Sequence, residues 1–336
     1  MLTLTELRGE LATPKQIVVT THYKPDGDAL GSSLALFHWL RAKGHAVSLI
    51  VPSDYPAFLN WLPGQEVIQV FTQQQEAANK LIQQANIIFC LDFNGLARIH
   101  TMEHAVREAK GTKVMIDHHL EPEGFDDIRL WDPTAAATAQ LIFEFLANHM
   151  DARDMITSDM ATCMYTGIMT DTGSFRFRST TAAVHLITAD LITLGAENWK
   201  IHDFIYNSST ESRLKFIGHC LLNRLEVLPE YNTALFTITR EDLQKFSITT
   251  GDTEGLVNYA LSIVNIRLAG LFVDRTDLVK LSLRSIENIP CNEICREYFN
   301  GGGHLNAAGG FSSESLHATV EKFKGILPNY KQQLTT

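Results

Sequence analysis

The chain has 336 residues, 45% hydrophobic and 20% charged, an ordinary globular composition that is too long for one typical core, so two domains are expected. A formal net charge of −10 excludes a broad basic surface for long nucleic acid, though not a nucleotide substrate. There is no apolar run of the roughly 18 residues a transmembrane helix needs. The N-terminus lacks the pattern of a secretory signal. Cys90, Cys163, Cys220, Cys291 and Cys295 are scattered and odd in number, so reduced thiols in a cytoplasmic chain are expected.

Taken in order, the first half alternates strand and helix. Strands are predicted at Gln16–Thr20, Ala46–Val51, Ile87–Leu91 and Lys113–Ile116. Helices are predicted between them at Leu30–Lys43, Thr72–Gln84 and Thr101–Lys110, then at Ala135–His149, Asp159–Met169 and Ala182–Leu194. Such alternation predicts an α/β fold, a parallel sheet with helices on both faces. Residues 1–197 form this first domain. Residues 198–224 read as a helical linker, with a break and cap at Ser208-Ser209-Thr210. Residues 225–336 form a smaller mixed α+β domain. Its strands are predicted at Thr233–Thr239, Leu268–Asp274 and Leu278–Arg284, and its helices at Glu254–Ser262, Pro290–Tyr298 and Ser315–Leu327.

The chemistry concentrates where the first-half strands end. After Gln16–Thr20 comes a turn holding His22, Asp26 and Asp28; after Ile87–Leu91 comes Asp92; after Val114-Met115-Ile116 come Asp117-His118-His119. In a parallel sheet these C-terminal ends share one edge, where ligands bind. Asp171, in Asp171-Thr172-Gly173-Ser174-Phe175, joins them if its helix crosses that edge. Taken alone, the first turn could equally be a surface loop in which Asp26 and Asp28 only cap a helix. Four converging segments instead suit two divalent metals sharing a carboxylate. Residues 1–224 carry 25 acidic against 18 basic side chains, an excess such ions would offset.

The Asp117-His118-His119 triplet, the H-x3-D-x-D spacing of His22, Asp26 and Asp28, the strand-end Asp92 and the Asp171–Phe175 stretch resemble the DHH phosphoesterase superfamily. The Gly301-Gly302-Gly303-His304 run, preceded by Leu281–Ser285, is similar to the signature of its DHHA1 substrate domain. Within the superfamily, Leu91-Asp92-Phe93-Asn94 and Glu254–Tyr259 resemble the nanoRNase/pAp-phosphatase branch, with Lys24 standing where Asn is more usual. The resemblance implies a DHH catalytic domain, a helical linker and a DHHA1 domain. It implies a two-manganese site in which His22, Asp26 and Asp92 hold one ion, Asp28, Asp92, His118 and Asp171 hold the other, and Asp92 bridges. Imidazole with carboxylate suits Mn²⁺ better than Ca²⁺, with Mg²⁺ and Zn²⁺ as alternatives. Asp117 is expected to orient a ligating histidine, and His119 to face the substrate or leaving oxygen. Hydroxide would attack phosphorus in line and a ribose oxygen would leave.

In the second domain, Gly301–Gly303 are read as a glycine run before a helix start, with backbone N–H groups open to an anion. His304 would donate to a phosphate or base, and Arg284 would grip phosphate, with Arg98 as a further candidate. The competing readings are a flexible turn and a surface ion pair. His100-Thr101-Met102-Glu103-His104 matches a short zinc-protease pattern but has no downstream ligand segment, and reads as a solvated helix face. Cys291 and Cys295 read as semi-buried thiols. Neither a Walker loop nor G-x-G-x-x-G is present.

The expected activity is metal-dependent hydrolysis of short RNA oligonucleotides to mononucleotides and of 3′-phosphoadenosine 5′-phosphate (pAp) to AMP. A homodimer is compatible with the sequence. The alternatives are hydrolysis of linear or cyclic signalling dinucleotides and, from another class, a noncatalytic nucleotide sensor. A RecJ-like long-strand nuclease would want a more basic groove, and a family-II pyrophosphatase another C-terminal domain.

Overall fold

The computed structural model describes residues 3–335 and divides into two compact units between residues 208 and 209. In the first unit, β1 (Gln16–Thr21), β2 (Ala46–Val51), β3 (Gln69–Val70), β4 (Ile87–Leu91), β5 (Thr112–Asp117) and β6 (Ile128–Trp131) form one parallel sheet in the order β3-β2-β1-β4-β5-β6. Its helices are α1 (Leu4–Glu10), α2 (Gly27–Ala42), α3 (Gln75–Gln84), α4 (Glu103–Glu108), α5 (Thr138–Glu144), α6 (Ser158–Asp171), α7 (Ala182–Thr193) and α8 (Asn198–Tyr206).

The central strands are continuous apolar runs because both faces are covered. Successive side chains point to opposite faces. Ile17 and Val19 therefore join the core formed with α2, α5 and α6, while Val18 between them joins the core with Ala78, Ile82 and Val106.

Helices α2 and α6 meet at glycine. A Cβ on Gly31 would stand 2.4 Å from the Cys163 carbonyl oxygen, and one on Gly167 would stand 2.6 Å from Ala139 Cβ and 2.7 Å from an Asp28 oxygen. This approach carries the end of α6 to the start of α2, where Gly27 abuts Thr170. Gly31→Ala is expected to cost about 2 kcal/mol, because the obstacle is backbone that cannot swing away. All four tryptophans lie in the first unit, so a urea transition followed by tryptophan fluorescence would show it. An unchanged midpoint would mean the helices part freely.

The second unit has α9 (Glu211–Asn223), α10 (Arg240–Lys245), α11 (Leu256–Leu261), α12 (Cys291–Tyr298), α13 (Leu316–Ile326) and α14 (Lys331–Thr335). Its sheet runs β11-β12-β10-β9-β8-β7, from β7 (Leu225–Leu228), β8 (Thr233–Ile238), β9 (Leu268–Asp274), β10 (Val279–Ser285), β11 (Gly302–His304) and β12 (Ala307–Ser312). Strands β8 and β9 are parallel and the other pairs antiparallel, a mixed sheet with separate cores against α12–α13 and against α9–α11. Residues 198–224 form α8, which groups with the first unit, and α9, which groups with the second and is capped by Thr210.

One expectation fails here. The glycine run does not precede a helix; Gly302 and Gly303 lie in β11, paired antiparallel with β12. Glycine is required because the strands leave no room: a Cβ on Gly301 would stand 2.1 Å from the Gly309 carbonyl oxygen, and Gly303 has φ +137°. The helical span expected at Thr101–Lys110 also shrinks to α4, because Thr101 and Met102 belong to a 3-10 turn that contains the non-helical His100 (φ 47°, ψ −117°) and the chain turns extended at Ala109.

Candidate metal centre

The strand order of the first sheet reverses at β1 and β4, the place where open α/β sheets bind ligands beyond their C-terminal edge. His22, Asp26 and Asp28 follow β1, Asp92 follows β4, and Asp117, His118 and His119 end β5. Asp171 closes α6 and comes to the same place from the α2–α6 contact.

Asp92 is the hub. Its Oδ2 lies 3.4 Å from His22 Nε2 and its Oδ1 lies 3.5 Å from His118 Nε2, so the two carboxylate oxygens face different imidazoles. It is 2% exposed and holds φ 64°, a left-handed conformation that Asp tolerates better than most residues and that costs energy in any of them. Three potential ligand groups overlap on it, His22-Asp26-Asp92, Asp28-Asp92-His118 and Asp92-Asp117-His119, each with ligand atoms within 4.8 Å of one another. Asp171 Oδ2 stands 3.4 Å and Asp28 Oδ2 3.9 Å from His118 Nε2.

Both of these histidines are oriented through Nδ1. His22 Nδ1 is 3.0 Å from the Tyr23 carbonyl, and His118 Nδ1 is 3.1 Å from the Ala135 carbonyl. With the Nδ1 proton donated there, each Nε2 is turned towards the carboxylates, the orientation in which a bound metal ion would take its lone pair. Asp26 does cap α2, its Oδ1 accepting from the Asp28 and Ala29 N–H groups, and the same oxygen lies 4.0 Å from His22 Nε2. The cap reading and the cluster reading both hold for this residue.

Asp117 was expected to orient a ligating histidine, but it holds His119, its Oδ1 2.8 Å from His119 Nδ1. Residues two apart on an extended strand end point the same way, which pairs Asp117 with His119 and turns His118 aside to Ala135. Arg98 reaches this pair, its Nη2 3.4 Å from His119 Nε2.

Thr138 has no sequence signal beyond being a hydroxyl at a helix start. Its hydroxyl donates to Asp92 Oδ1 at 2.9 Å, and the Thr138 and Ala139 N–H groups donate to Asp28 at 2.6 and 2.8 Å. Helix α5 has no side-chain cap of its own, so Asp28 serves from across the fold.

Burial raises the Asp28 pKa well above the usual carboxylate value, and the neighbouring Asp92 and Asp171 push it further. Burial would raise that of Asp92 too, but the His118 and His22 imidazoles outweigh it and hold Asp92 low. The same contact acts on His118, where burial lowers the pKa and Asp92 with Asp171 more than reverses it. Buried carboxylates crowded on one another, with imidazole nitrogens between them whose protons a divalent cation could displace, are a donor set that suits such cations. For His119, burial and Arg98 lower the pKa and keep the ring neutral.

The second unit presents its own candidates. Arg284 is paired across the sheet with Ala307, and His304 is paired with the same Ala307 from the other side. Residues in one cross-strand row share a face. Arg284 and His304 therefore flank an alanine, roughly 10 Å apart by strand spacing. Among the described residues the His100–His104 pattern and the Cys291–Cys295 pair appear in no potential metal group. Burial pushes these two thiols up to about 11 and about 12, so they stay protonated. All five cysteines are free and buried.

Residues 16–168 match the model of the DHH family N-terminal domain, and residues 233–334 match that of the DHHA1 domain. A relative from Thermus thermophilus, a bifunctional oligoribonuclease and PAP phosphatase NrnA, is 30% identical, with 87% of this chain and 83% of that protein covered. The crystal structure of an exopolyphosphatase-related protein from Bacteroides fragilis superposes with a TM-score of 0.93 at 40% identity, covering 99% of this chain and 98% of that one. RecJ of Thermus thermophilus, solved with Mn²⁺, shares the fold at a TM-score of 0.55 and 13% identity, with 98% of this chain and 54% of that one covered. The chain belongs to the DHH family, with a DHHA1 domain following. It is a divalent-metal-dependent hydrolase of phosphoester bonds, and none of its described helices is long and apolar enough to cross a membrane.

Proposed function

We propose that this enzyme hydrolyses short RNA oligonucleotides to mononucleotides and pAp to AMP, using two divalent ions, Mn²⁺ by preference, in the cytoplasm. The observation that carries the reading is Asp92, with one carboxylate oxygen towards each of two separate imidazole-carboxylate groups. The names of the Thermus relative's activities support the substrate class. The five free, buried cysteines support the compartment.

In this reading His22, Asp26 and Asp92 hold one ion, and Asp28, Asp92, His118 and Asp171 the other. Ions held there would supply Lewis acidity at the phosphoryl oxygens and make water a stronger nucleophile at neutral pH. The chain's own groups do the rest. Thr138 fixes Asp92 and, through its N–H, Asp28. Asp117 holds His119 at Nδ1, so its Nε2 faces the ester where the ribose oxygen leaves. Arg98 beside it takes a phosphoryl oxygen. In the second unit, Arg284 and His304 are the candidates to bind phosphate and base, with Gly302 and Gly303 offering only edge-strand backbone beside them, because the Gly301 N–H already donates to the Cys295 carbonyl. The step balances as follows: the water oxygen bonds to phosphorus, the P–O bond to ribose breaks, and one of that water's protons ends on the departing ribose oxygen.

The test is product formation with Mn²⁺ on an RNA dinucleotide, pAp, a long RNA, a cyclic dinucleotide and polyphosphate in parallel. Fast turnover of the dinucleotide and pAp with slow turnover of the long RNA is expected. Activity confined to the long RNA, the cyclic dinucleotide or polyphosphate would overturn the substrate assignment. No turnover of any of them would favour a nucleotide sensor.

A further inference from the structure

One aromatic pair beside the metal centre has no part in the roles above. The rings of Tyr23 and His100 stack with centroids 4.1 Å apart and planes 24° from parallel. Tyr23 directly follows the metal-centre residue His22, whose Nδ1 lies on the Tyr23 carbonyl. The Tyr23 N–H donates to the Arg98 carbonyl at 2.8 Å, and Arg98 touches His119. The pair is thus tied at both ends to groups that surround the reacting phosphate.

His100 is exposed, and its backbone conformation, φ 47° and ψ −117°, belongs to glycine. Such a conformation persists in a bulky residue only where its surroundings impose it, and strained positions of this kind cluster at active sites and ligand clamps. Here it interrupts a helix to lay an imidazole on the tyrosine. Partial burial lowers the imidazole pKa, with Arg98 acting in the same direction, so the ring is neutral at neutral pH. The nearby Lys24 ammonium lies 5.8 Å from the centroid of the Tyr23 ring and is ion-paired with Asp54 at 2.6 Å. A neutral, flat, exposed ring backed by a second ring is poorly suited to phosphate and well suited to a π-face.

We propose that His100, backed by Tyr23, is a stacking shelf for a nucleobase of the substrate, next to the metal centre in the first unit. The proposal rests on the nucleotide reading above. Stacking is indifferent to base identity, so the shelf would select nucleotides over plain phosphate esters without choosing among bases.

The test is calorimetric binding of AMP and of ribose 5-phosphate to the full chain with Mn²⁺, for the wild type, His100→Gly and His100→Phe. The wild type is expected to prefer AMP by about tenfold or more, the range of one base stacked on an aromatic ring. His100→Gly should lose most of that preference while melting no lower than the wild type, because glycine relieves the backbone. His100→Phe should keep it. A glycine variant that retains the full preference, or that loses ribose 5-phosphate as severely as AMP, would overturn the shelf. Nucleotide hydrolysis with an unchanged preference in His100→Gly removes the shelf alone. A lost preference in that variant, with no nucleotide hydrolysis by the wild type, keeps the shelf and removes the substrate assignment.

Discussion

Asp92→Asn is expected to lower turnover on every phosphoester by at least about a thousandfold, several kcal/mol of lost transition-state stabilisation. Bound metal should fall below two equivalents in the same protein. Asparagine is the sharper substitution. It matches the shape, accepts the φ of 64°, and can still take the Thr138 hydroxyl on its carbonyl oxygen. What it removes is the second anionic oxygen, so it cannot serve both the His22 side and the His118 side. Alanine would add backbone strain and confuse the reading. Metal content after dialysis, measured by mass spectrometry, and single-turnover rates on a dinucleotide would decide. A variant that retains two equivalents and near-normal turnover would sink the bridging assignment.

The metal-site candidates were legible for a physical reason. A strand buried on both faces is an unbroken apolar run, so a polar residue at its end stands out, as Asp92 does after Ile87–Leu91. The parallel sheet then brings such ends together without further information. What the sequence concealed depends on contacts across the fold. Asp171 arrives because α2 and α6 approach at Gly31 and Gly167, a packing fact that no local pattern encodes. Thr138 looks like any hydroxyl at a helix start, and its role exists only because Asp28 and Asp92 reach it from elsewhere. The β11–β12 hairpin was missed because its glycines and alanines carry little strand preference. Strand β6 was missed because Ile128–Trp131 is short and only half-buried at the sheet edge. The turn at His100 could not be read at all, since histidine does not announce a glycine-like backbone.

In the second unit the largest single loss of stability is expected from Asp242→Ala. Asp242 is 3% exposed and ties the end of α9 to the cap that opens α10. Its carboxylate accepts two hydrogen bonds from Arg224 at 2.8 and 2.9 Å, one from His219 Nε2 at 2.8 Å, and those of the Thr239 N–H and hydroxyl that open α10. Burial by itself would raise its pKa, but Arg224, Thr239 and His219 outweigh burial and hold it far below the ordinary 3.8. A folded-state pKa depressed in this way contributes stability that is fully present above about pH 4 and is lost as the pH falls towards the folded value. Removing the carboxylate leaves the Arg224 guanidinium and the His219 ring without their shared acceptor, at a cost of about 3 kcal/mol near neutral pH. Because the tryptophans all lie in the first unit, their fluorescence would miss the change. Hydrogen exchange at the β8 and α10 amides would report it as faster opening in the variant. The gap between variant and wild type should narrow as the pH is lowered from 7 to 3, since acid protonates Asp242 in the unfolded chain while the native carboxylate stays ionised, a stabilisation of the unfolded state that the variant lacks. A gap that stays constant down to pH 3 would mean the loss is packing rather than charge, and would reduce Asp242 to a cap of α10.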